Sequence, residues 1–117
     1  MNGDSLNNLK GALEGFVNER DWEQFHNPKN LAMALAAEVG ELLEHFQWLD
    51  EKEADSLDPA QRSEVAMELA DILMYLLRLS DRLQVDLLEA ASEKLELNRR
   101  KYPVEKARGR PTKYDKL

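Results

Sequence analysis

Two acidic pairs with the same spacing interrupt apolar helical patterns in this sequence. Glu38 and Glu41 lie one turn apart in the first pattern, and Glu68 and Asp71 lie one turn apart in the second. At about 100° per residue, both pairs fall at the edges of apolar stripes and not squarely opposite them. Crowded carboxylates raise one another's pKa unless a cation neutralises them. The pairs are therefore either boundary charges on packed helices or the ligands of a cation.

A hard divalent cation suits such a set of oxygen ligands. Mg²⁺ takes a few carboxylates together with waters and phosphate oxygens, and Mn²⁺ is a possible substitute. If the two helices are antiparallel neighbours, all four carboxylates could converge on one patch. A di-iron centre instead needs two Glu-x-x-His motifs, and His26 and His45, the two histidines of the chain, do not supply both. The sequence thus favours a magnesium site that also binds phosphate.

Helical periodicity dominates the chain, and strand signals are weak throughout. Asp4 or Ser5 is the predicted cap of the first helix, and Pro28 suits the entry to the second. Asp58 and Asp86 are the predicted caps of the last two helices. Pro103 ends the fourth helix. The four predicted helices span about residues 6–20, 29–49, 60–83 and 87–101.

These helices predict an all-α, four-helix bundle. The second helix carries an apolar stripe formed by Leu31, Leu35, Val39, Leu42, Phe46 and Leu49. The third helix is apolar around nearly half its circumference, which is more surface than one neighbour would bury. We therefore expect the protein to assemble into oligomers through this wide apolar face. The residues of the face are Val65, Leu69, Ile72, Leu73, Leu76, Leu77, Leu79 and Leu83.

Composition limits the possible classes of protein. The chain has 117 residues, 43% of them hydrophobic, and a formal net charge of −7. It contains no cysteine, which excludes disulfides and thiolate metal sites. No apolar run approaches the roughly 18 residues that a membrane span needs, and the N-terminal residues do not resemble a secretion signal. We expect a cytoplasmic protein with no membrane partner.

The charge is unevenly distributed along the chain. Residues 94–117 carry nine Lys or Arg against three Asp or Glu, so this end has a net charge of +6 and the rest has −13. A basic end on an acidic body is unlike the basic surface of a nucleic-acid binder. The end is either a solvated tail or an arm that attracts phosphate. We predict a single helical domain over residues 1–103 and a basic tail over 104–117.

Around Glu38-Val-Gly-Glu41 and Glu68-Leu-Ala-Asp71, the chain resembles the MazG-like, all-α nucleoside triphosphate pyrophosphohydrolases. The signature of that family is E-x-x-E on one helix and E-x-x-D on the next. The flanking segments RDWEQFHNPKN, ELADILMYLL and NRRKYP resemble the dCTP pyrophosphatase branch. The resemblance covers roughly residues 18–114.

The resemblance implies Mg²⁺-dependent hydrolysis of a nucleoside triphosphate, such as dCTP, to the monophosphate and pyrophosphate. It implies metal binding by Glu38, Glu41, Glu68 and Asp71, and homodimers or tetramers with sites built between subunits. Glu38 and Glu41 are also the first candidates for the catalytic base, because a metal-binding carboxylate can accept the proton of water. The residues that match positions around the nucleotide are Trp22, His26, Trp48, Tyr75, Lys94 and Asn98.

Two other functions compete with dCTP hydrolysis. The same fold could act on dUTP or on phosphoribosyl-ATP. Alternatively, the chain could be a non-catalytic helical interaction module whose acidic pairs only solvate its helices. The segments around Trp22 and Trp48 resemble the dCTP branch more closely, and this resemblance implies dCTP as substrate and a role in cleaning the nucleotide pool.

Overall fold

The structure is a computed structural model that describes residues 3–117. All regular elements of this range are helical, which confirms the all-α prediction. Four helices have 15 residues or more, and the others are short. Two 3₁₀ turns, Glu23–Phe25 and Tyr114–Lys116, complete the set. The α-helices are α1 (Gly3–Glu19), α2 (Pro28–Glu44), α3 (Glu51–Ala54), α4 (Pro59–Arg82), α5 (Leu87–Lys101) and α6 (Val104–Ala107).

Helix α1 begins earlier than predicted. Asp4 and Ser5 lie inside its first turn, so the prediction that one of them is the N-cap was wrong. An acidic side chain is also favourable within the first turn, because it faces the positive end of the helix dipole. A short acidic or hydroxyl residue near a helix start therefore does not by itself fix the capping position.

Helix α2 ends at Glu44, five residues before the predicted end. From His45 the chain tightens, since the His45 and Phe46 N–H groups donate to the carbonyls of Leu42 and Leu43, three residues back. Bonds of this type close tighter turns than the α-helix does and often form the last turn of a helix. The apolar period nevertheless continues to Leu49, which explains the over-long prediction.

Capping boxes start α3 and α4. Asp58 accepts a bond of 2.8 Å from the Gln61 N–H, while the Gln61 side chain accepts a bond of 3.0 Å from the Asp58 N–H. Asp50 and Glu53 form the same arrangement before α3, in a stretch where only turns were predicted. The predicted cap Asp86 accepts a bond from the Glu89 N–H at the start of α5. The two predicted aspartate caps, Asp58 and Asp86, are confirmed.

Helix α4 is the central element of the unit formed by residues up to Val85. Both α2 and α1 pack against it, and α2 does so more extensively than α1. The most deeply buried apolar side chains join these three helices, and Glu38 is half-buried on the same side of α2 as Leu31. The buried apolar side chains are Val17, Leu31, Val65 and Leu77.

The two predicted apolar faces are only partly buried. Val39 on α2, Leu69 on α4 and Leu83 at the C-cap of α4 are about half exposed, at 48%, 52% and 54%. Met33, Leu43 and Met67 are also exposed. Helices α2 and α4 thus keep apolar surface that no described residue of this chain covers.

Residues Asp86–Leu117 form a second compact unit. Within it the rings of Tyr102 and Tyr114 meet edge to face at 6.1 Å, and the Lys101 ammonium lies 4.7 Å from the Tyr114 ring. These contacts tie the end of the chain to the end of α5. The predicted boundary at residue 103 stays a prediction. None of the described helices is long and apolar enough to cross a bilayer.

Removing the cap of α4 should lower stability without touching the acidic pairs. We expect Asp58→Ala to reduce the free energy of unfolding by about 1 kcal/mol, because the Gln61 N–H in the first turn of α4 loses its side-chain acceptor. Urea unfolding at fixed protein concentration measures the change. Asp58→Asn retains an accepting oxygen and should stay close to the parent. Equal losses in the two variants would contradict the capping role.

Candidate active site

Helices α2 and α4 bring three of the four predicted carboxylates together. Glu38, Glu41 and Glu68 each offer one oxygen, and these three atoms all lie within 4.8 Å of one another. Glu38 and Glu68 are half-buried between the helices, whereas Glu41 is exposed. We call these three residues the carboxylate cluster. Its geometry follows from the three-residue spacing on α2 and from the packing of α2 on α4.

The cluster is electrostatically unfavourable without a cation. The pKa of Glu38 is raised to about 7, first by burial, then by a hydrogen bond with Glu41, and then by the charges of Glu41, Asp71 and Glu68. One oxygen of Glu38 and one of Glu68 are buried without a hydrogen-bond partner. A divalent cation would satisfy both oxygens and offset the repulsion, so the residues fit a hard metal ion.

Asp71 stands slightly apart from the cluster. It lies one turn after Glu68 on α4 and is close enough to raise the pKa of Glu38. It also lines a cavity of about 460 Å³, which no member of the cluster does. Asp71 therefore links the carboxylate cluster to the cavity.

His45 is a neighbour of the cluster that the sequence did not single out for a role. Its Nε2 lies 3.6 Å from Glu68 and its Nδ1 lies 3.8 Å from Glu64. The imidazole follows Glu41 by one turn, at the point where α2 ends. It lies between two carboxylates of α4, one of which belongs to the carboxylate cluster.

The cavity beside Asp71 is largely apolar and has the size of a small-molecule site. Helix α1 contributes one wall through Leu9, Leu13 and Phe16. Three predicted substrate-binding residues also line it, one from α4 and two from the connector between α1 and α2. These three are Trp22, His26 and Tyr75.

The connector, residues 20–27, holds Trp22 at the cavity by local bonds. Asp21 adopts a left-handed conformation with φ of 55°, which ends α1 and turns the chain. The Trp22 N–H then donates to the carbonyl of Val17 at 3.1 Å. The Trp22 ring meets Phe16 edge to face at 5.7 Å, with an angle of 76° between the planes. The indole keeps 43% of its surface exposed, which leaves room to stack on a flat ligand.

His26 presents a neutral imidazole to the cavity. Burial, followed by the charge of Arg78, lowers its pKa, although the carboxylate of Glu23 acts in the opposite direction. Its Nδ1 is buried without a hydrogen-bond partner in the structure. A neutral imidazole can both donate and accept, so His26 is suited to bind a polar edge of a ligand.

Arg78 is a cavity residue to which the sequence analysis gave no role. Its Nη2 donates to Glu23 at 2.7 Å. Arg82 donates to the other oxygen of Glu23 at 3.2 Å. Glu23 precedes His26 by three residues, yet its carboxylate is committed to these arginines and not to a metal site. A charge within the apolar run MYLLRLS was the available signal for a buried role.

The other predicted substrate residues are not among those that line the cavity. Trp48 is 87% exposed, beyond the end of α2. Lys94 is exposed and Asn98 is half-buried, and both belong to α5 in the second unit. Their contacts with a nucleotide stay predictions.

The fold and the site define a helical protein with a carboxylate cluster, suited to a divalent cation, beside an apolar cavity with aromatic walls. A model of the MazG-like family matches residues 33–117, which contain all four predicted metal-binding residues. The chain belongs to the MazG-like family.

Individual proteins that carry the name pyrophosphatase are similar to this chain over most of its length. The chain is 45% identical to dCTP pyrophosphatase 1 of Bos taurus over 115 residues, which cover 97% of this chain and 68% of that protein. The identity to dCTP pyrophosphatase 1 of Homo sapiens is 44% over the same length. A crystal structure of a pyrophosphatase from Archaeoglobus fulgidus matches with a TM-score of 0.81 and 39% identity, covering 88% of this chain and 96% of that one.

Proposed function

We propose that this protein is a nucleoside triphosphate pyrophosphohydrolase that converts dCTP or a related deoxynucleotide to the monophosphate and pyrophosphate. One observation carries the proposal: three carboxylates lie within 4.8 Å of one another, and Asp71 links them to a cavity walled by Trp22 and Tyr75. A cation site beside an aromatic cavity matches the two halves of a nucleotide, its phosphates and its base. The similarity to dCTP pyrophosphatases and to an archaeal pyrophosphatase supports this over a non-catalytic interaction module.

Glu38, Glu41 and Glu68 would hold a Mg²⁺ ion, with Asp71 as a fourth ligand or as a ligand of a second ion. Such an ion neutralises phosphate oxygens and lowers the pKa of bound water. The two buried oxygens without partners support this assignment, as does the raised pKa of Glu38. Mn²⁺ accepts the same ligands and is expected to substitute.

The residues of this chain would supply the remaining requirements of the reaction. Glu38 or Glu41 accepts the proton of the attacking water at a carboxylate oxygen. Trp22 and Tyr75 hold the base between flat walls, and the His26 imidazole donates to or accepts from its edge. For Lys94, Asn98 and Trp48, contact with the nucleotide is proposed from the sequence resemblance.

The cavity itself does not choose among bases, so dUTP and phosphoribosyl-ATP remain alternative substrates of the same fold. Similarity to two mammalian dCTP pyrophosphatases favours a cytosine nucleotide. We further propose that the protein acts in the cytoplasm, where it removes unwanted nucleotides from the pool.

The exposed apolar side chains of α2 and α4 support a homo-oligomer. Met33, Leu43, Met67 and Leu69 are all more than half exposed, and apolar surface of this kind is usually covered by a partner. We propose a dimer or a tetramer, in which a neighbouring subunit completes the site. Light scattering during gel filtration should give two or four chains per particle, and a single chain would contradict the proposal.

Product analysis tests the reaction. The purified protein should be incubated with Mg²⁺ and a panel containing dCTP, dUTP, other triphosphates and phosphoribosyl-ATP. We expect a monophosphate and pyrophosphate in equal amounts, with dCTP or a modified form of it turned over fastest. A nucleoside diphosphate and orthophosphate as products would contradict the proposed cleavage to the monophosphate and pyrophosphate. The absence of turnover with every compound would support the interaction module.

A further inference from the structure

The connector (residues 20–27) places Trp22 and His26 at the cavity. Apart from those of Glu23, the hydrogen bonds found for it within residues 3–117 reach no further than five residues along the chain. The Gln24 amide donates to Asp21, and the Asn30 amide donates to the carbonyl of Phe25 at 3.0 Å. Such local bonds set the shape of the connector. They do not fix it to α4, which provides another wall of the cavity.

Glu23 supplies the link between the connector and α4. Arg78 donates to one of its oxygens at 2.7 Å and Arg82 donates to the other at 3.2 Å, across 55 and 59 residues of sequence. Among the hydrogen bonds and ion pairs found within residues 3–117, these two contacts are the ones that join the connector to α4.

The two arginines are not equivalent. The Arg78 side chain is only 4% exposed, whereas that of Arg82 is 40% exposed. A buried guanidinium is costly unless a carboxylate neutralises it, so Arg78 depends on Glu23 for its place beneath the connector. Asp81 is a second, more distant carboxylate at 3.7 Å from Arg78, and it is also engaged by Lys10 at 3.1 Å. The Arg78–Glu23 contact is therefore the stronger restraint on the connector.

We propose that Arg78 is a positioning residue for substrate binding: by holding Glu23, it keeps Trp22 and His26 in place as a wall of the cavity. The inference rests on the proposed function, since it takes this cavity as the site of the base. Arg78 lines the cavity but does not belong to the carboxylate cluster, which α2 and α4 position separately. Loss of the contact should weaken nucleotide binding and leave the chemical step largely intact.

Tryptophan fluorescence tests the positioning directly. The chain has two tryptophans, so a Trp48→Phe background leaves Trp22 as the sole reporter. In this background, Arg78→Gln and Glu23→Gln should shift the emission of Trp22 to longer wavelength and increase its quenching by acrylamide. Arg82→Gln should change both much less. Spectra and quenching equal to the parent in the Arg78 and Glu23 variants would overturn the proposal.

Kinetics with natural Trp48 provide the second test. Arg78→Gln and Glu23→Gln should raise the KM for the nucleotide about tenfold and leave kcat within about twofold. The loss of a charged hydrogen bond typically changes an equilibrium constant by about a factor of ten. Arg78→Lys keeps the charge but not the fork geometry, and should restore part of the loss. Asp58→Ala is the matched control, because it weakens the same helix away from the cavity and should leave KM unchanged.

Each result of the kinetic test bears on the proposal. A fall in kcat at constant KM, or an equal rise of KM in Asp58→Ala, would overturn it. If Arg78→Gln does not fold, as judged by circular dichroism, Arg78→Lys and Glu23→Gln carry the same comparison. If the parent hydrolyses no nucleotide, the proposed function fails, and the quenching of Trp22 still decides whether Arg78 positions the connector.

Discussion

Replacing Glu41 by Gln, or Asp71 by Asn, should abolish turnover while leaving the helices and the assembly intact. Either change removes one negative charge and keeps the shape of the side chain. Loss of a residue that merely supports a metal ligand costs about 10–100-fold, so loss of a ligand should cost on the order of a thousandfold or more. Steady-state assays with saturating Mg²⁺ and dCTP measure the loss.

The two positions test different parts of the site. Glu41 is an exposed member of the carboxylate cluster, and Asp71 lies between the cluster and the cavity. Glu41→Gln should therefore weaken Mg²⁺ binding in the absence of nucleotide, as measured by calorimetry. If Asp71 acts mainly on a second ion or on the phosphates, Asp71→Asn should spare that binding and still abolish turnover.

Glu44→Gln is the matched control for Glu41→Gln. Glu44 lies one turn further along α2, is exposed, and is outside the carboxylate cluster. It should retain the turnover of the parent. Parental activity in both Glu41→Gln and Asp71→Asn would refute the metal assignment. Loss of helix content in these variants would instead show that the carboxylates are structural.

Much of the helical framework follows from local signals in the sequence. Asp58, Asp86 and Pro28 mark helix starts because capping and the fixed φ of proline act within one turn. The end of α2 has no comparable signal. The apolar period continues through Phe46 and Leu49, although the backbone has already tightened at His45.

The face of α2 that packs on α4 could not be fixed by periodicity alone. Val39 and Glu38 are adjacent, and either could border the buried face of a 3.6-residue helix. The structure leaves Val39 about half exposed and half-buries Glu38. An apolar stripe favours the opposite result. Burial of Glu38 in place of Val39 puts a carboxylate between two helices. A buried carboxylate is costly unless a cation compensates its charge.

The site was predictable where its residues lie on regular helices. Equal spacing of the two acidic pairs predicted that they could converge if their helices are neighbours, and the packing of α2 on α4 brings three of the four carboxylates together. The partner of Arg78 was not predictable, because Glu23 lies 55 residues away in an irregular connector. Trp48 shows the same limit, since it follows the unpredicted end of α2 and is exposed there.

Glu38 should contribute a loss of stability to the metal-free protein as the pH rises from about 5 to 7. The ordinary pKa of a glutamate is about 4.5, and burial in the folded protein raises that of Glu38 to about 7. Between these values the folded state holds a proton that the unfolded state has lost. The stabilisation is therefore complete below the lower value and disappears as the pH rises through the upper one.

Glu38→Gln isolates that contribution because an amide does not titrate in this range. In a chelating buffer, the variant should gain stability relative to the parent as the pH rises, on the order of 1 kcal/mol because solvent screens a half-buried carboxylate. Urea unfolding at several pH values and at fixed protein concentration gives the difference curve. A flat curve would show that Glu38 titrates normally in the folded protein.

Mg²⁺ should offset the loss of stability at high pH in the parent but not in Glu38→Gln. A cation that binds the folded state stabilises it by mass action, and it must displace the proton of Glu38 to bind. The stabilisation by a fixed concentration of Mg²⁺ should therefore be larger at pH 8 than at pH 6 in the parent. In Glu38→Gln the stabilisation should be small and nearly independent of pH. Equal stabilisation of both proteins at pH 8 would place the ion away from Glu38, even if turnover depends on Mg²⁺.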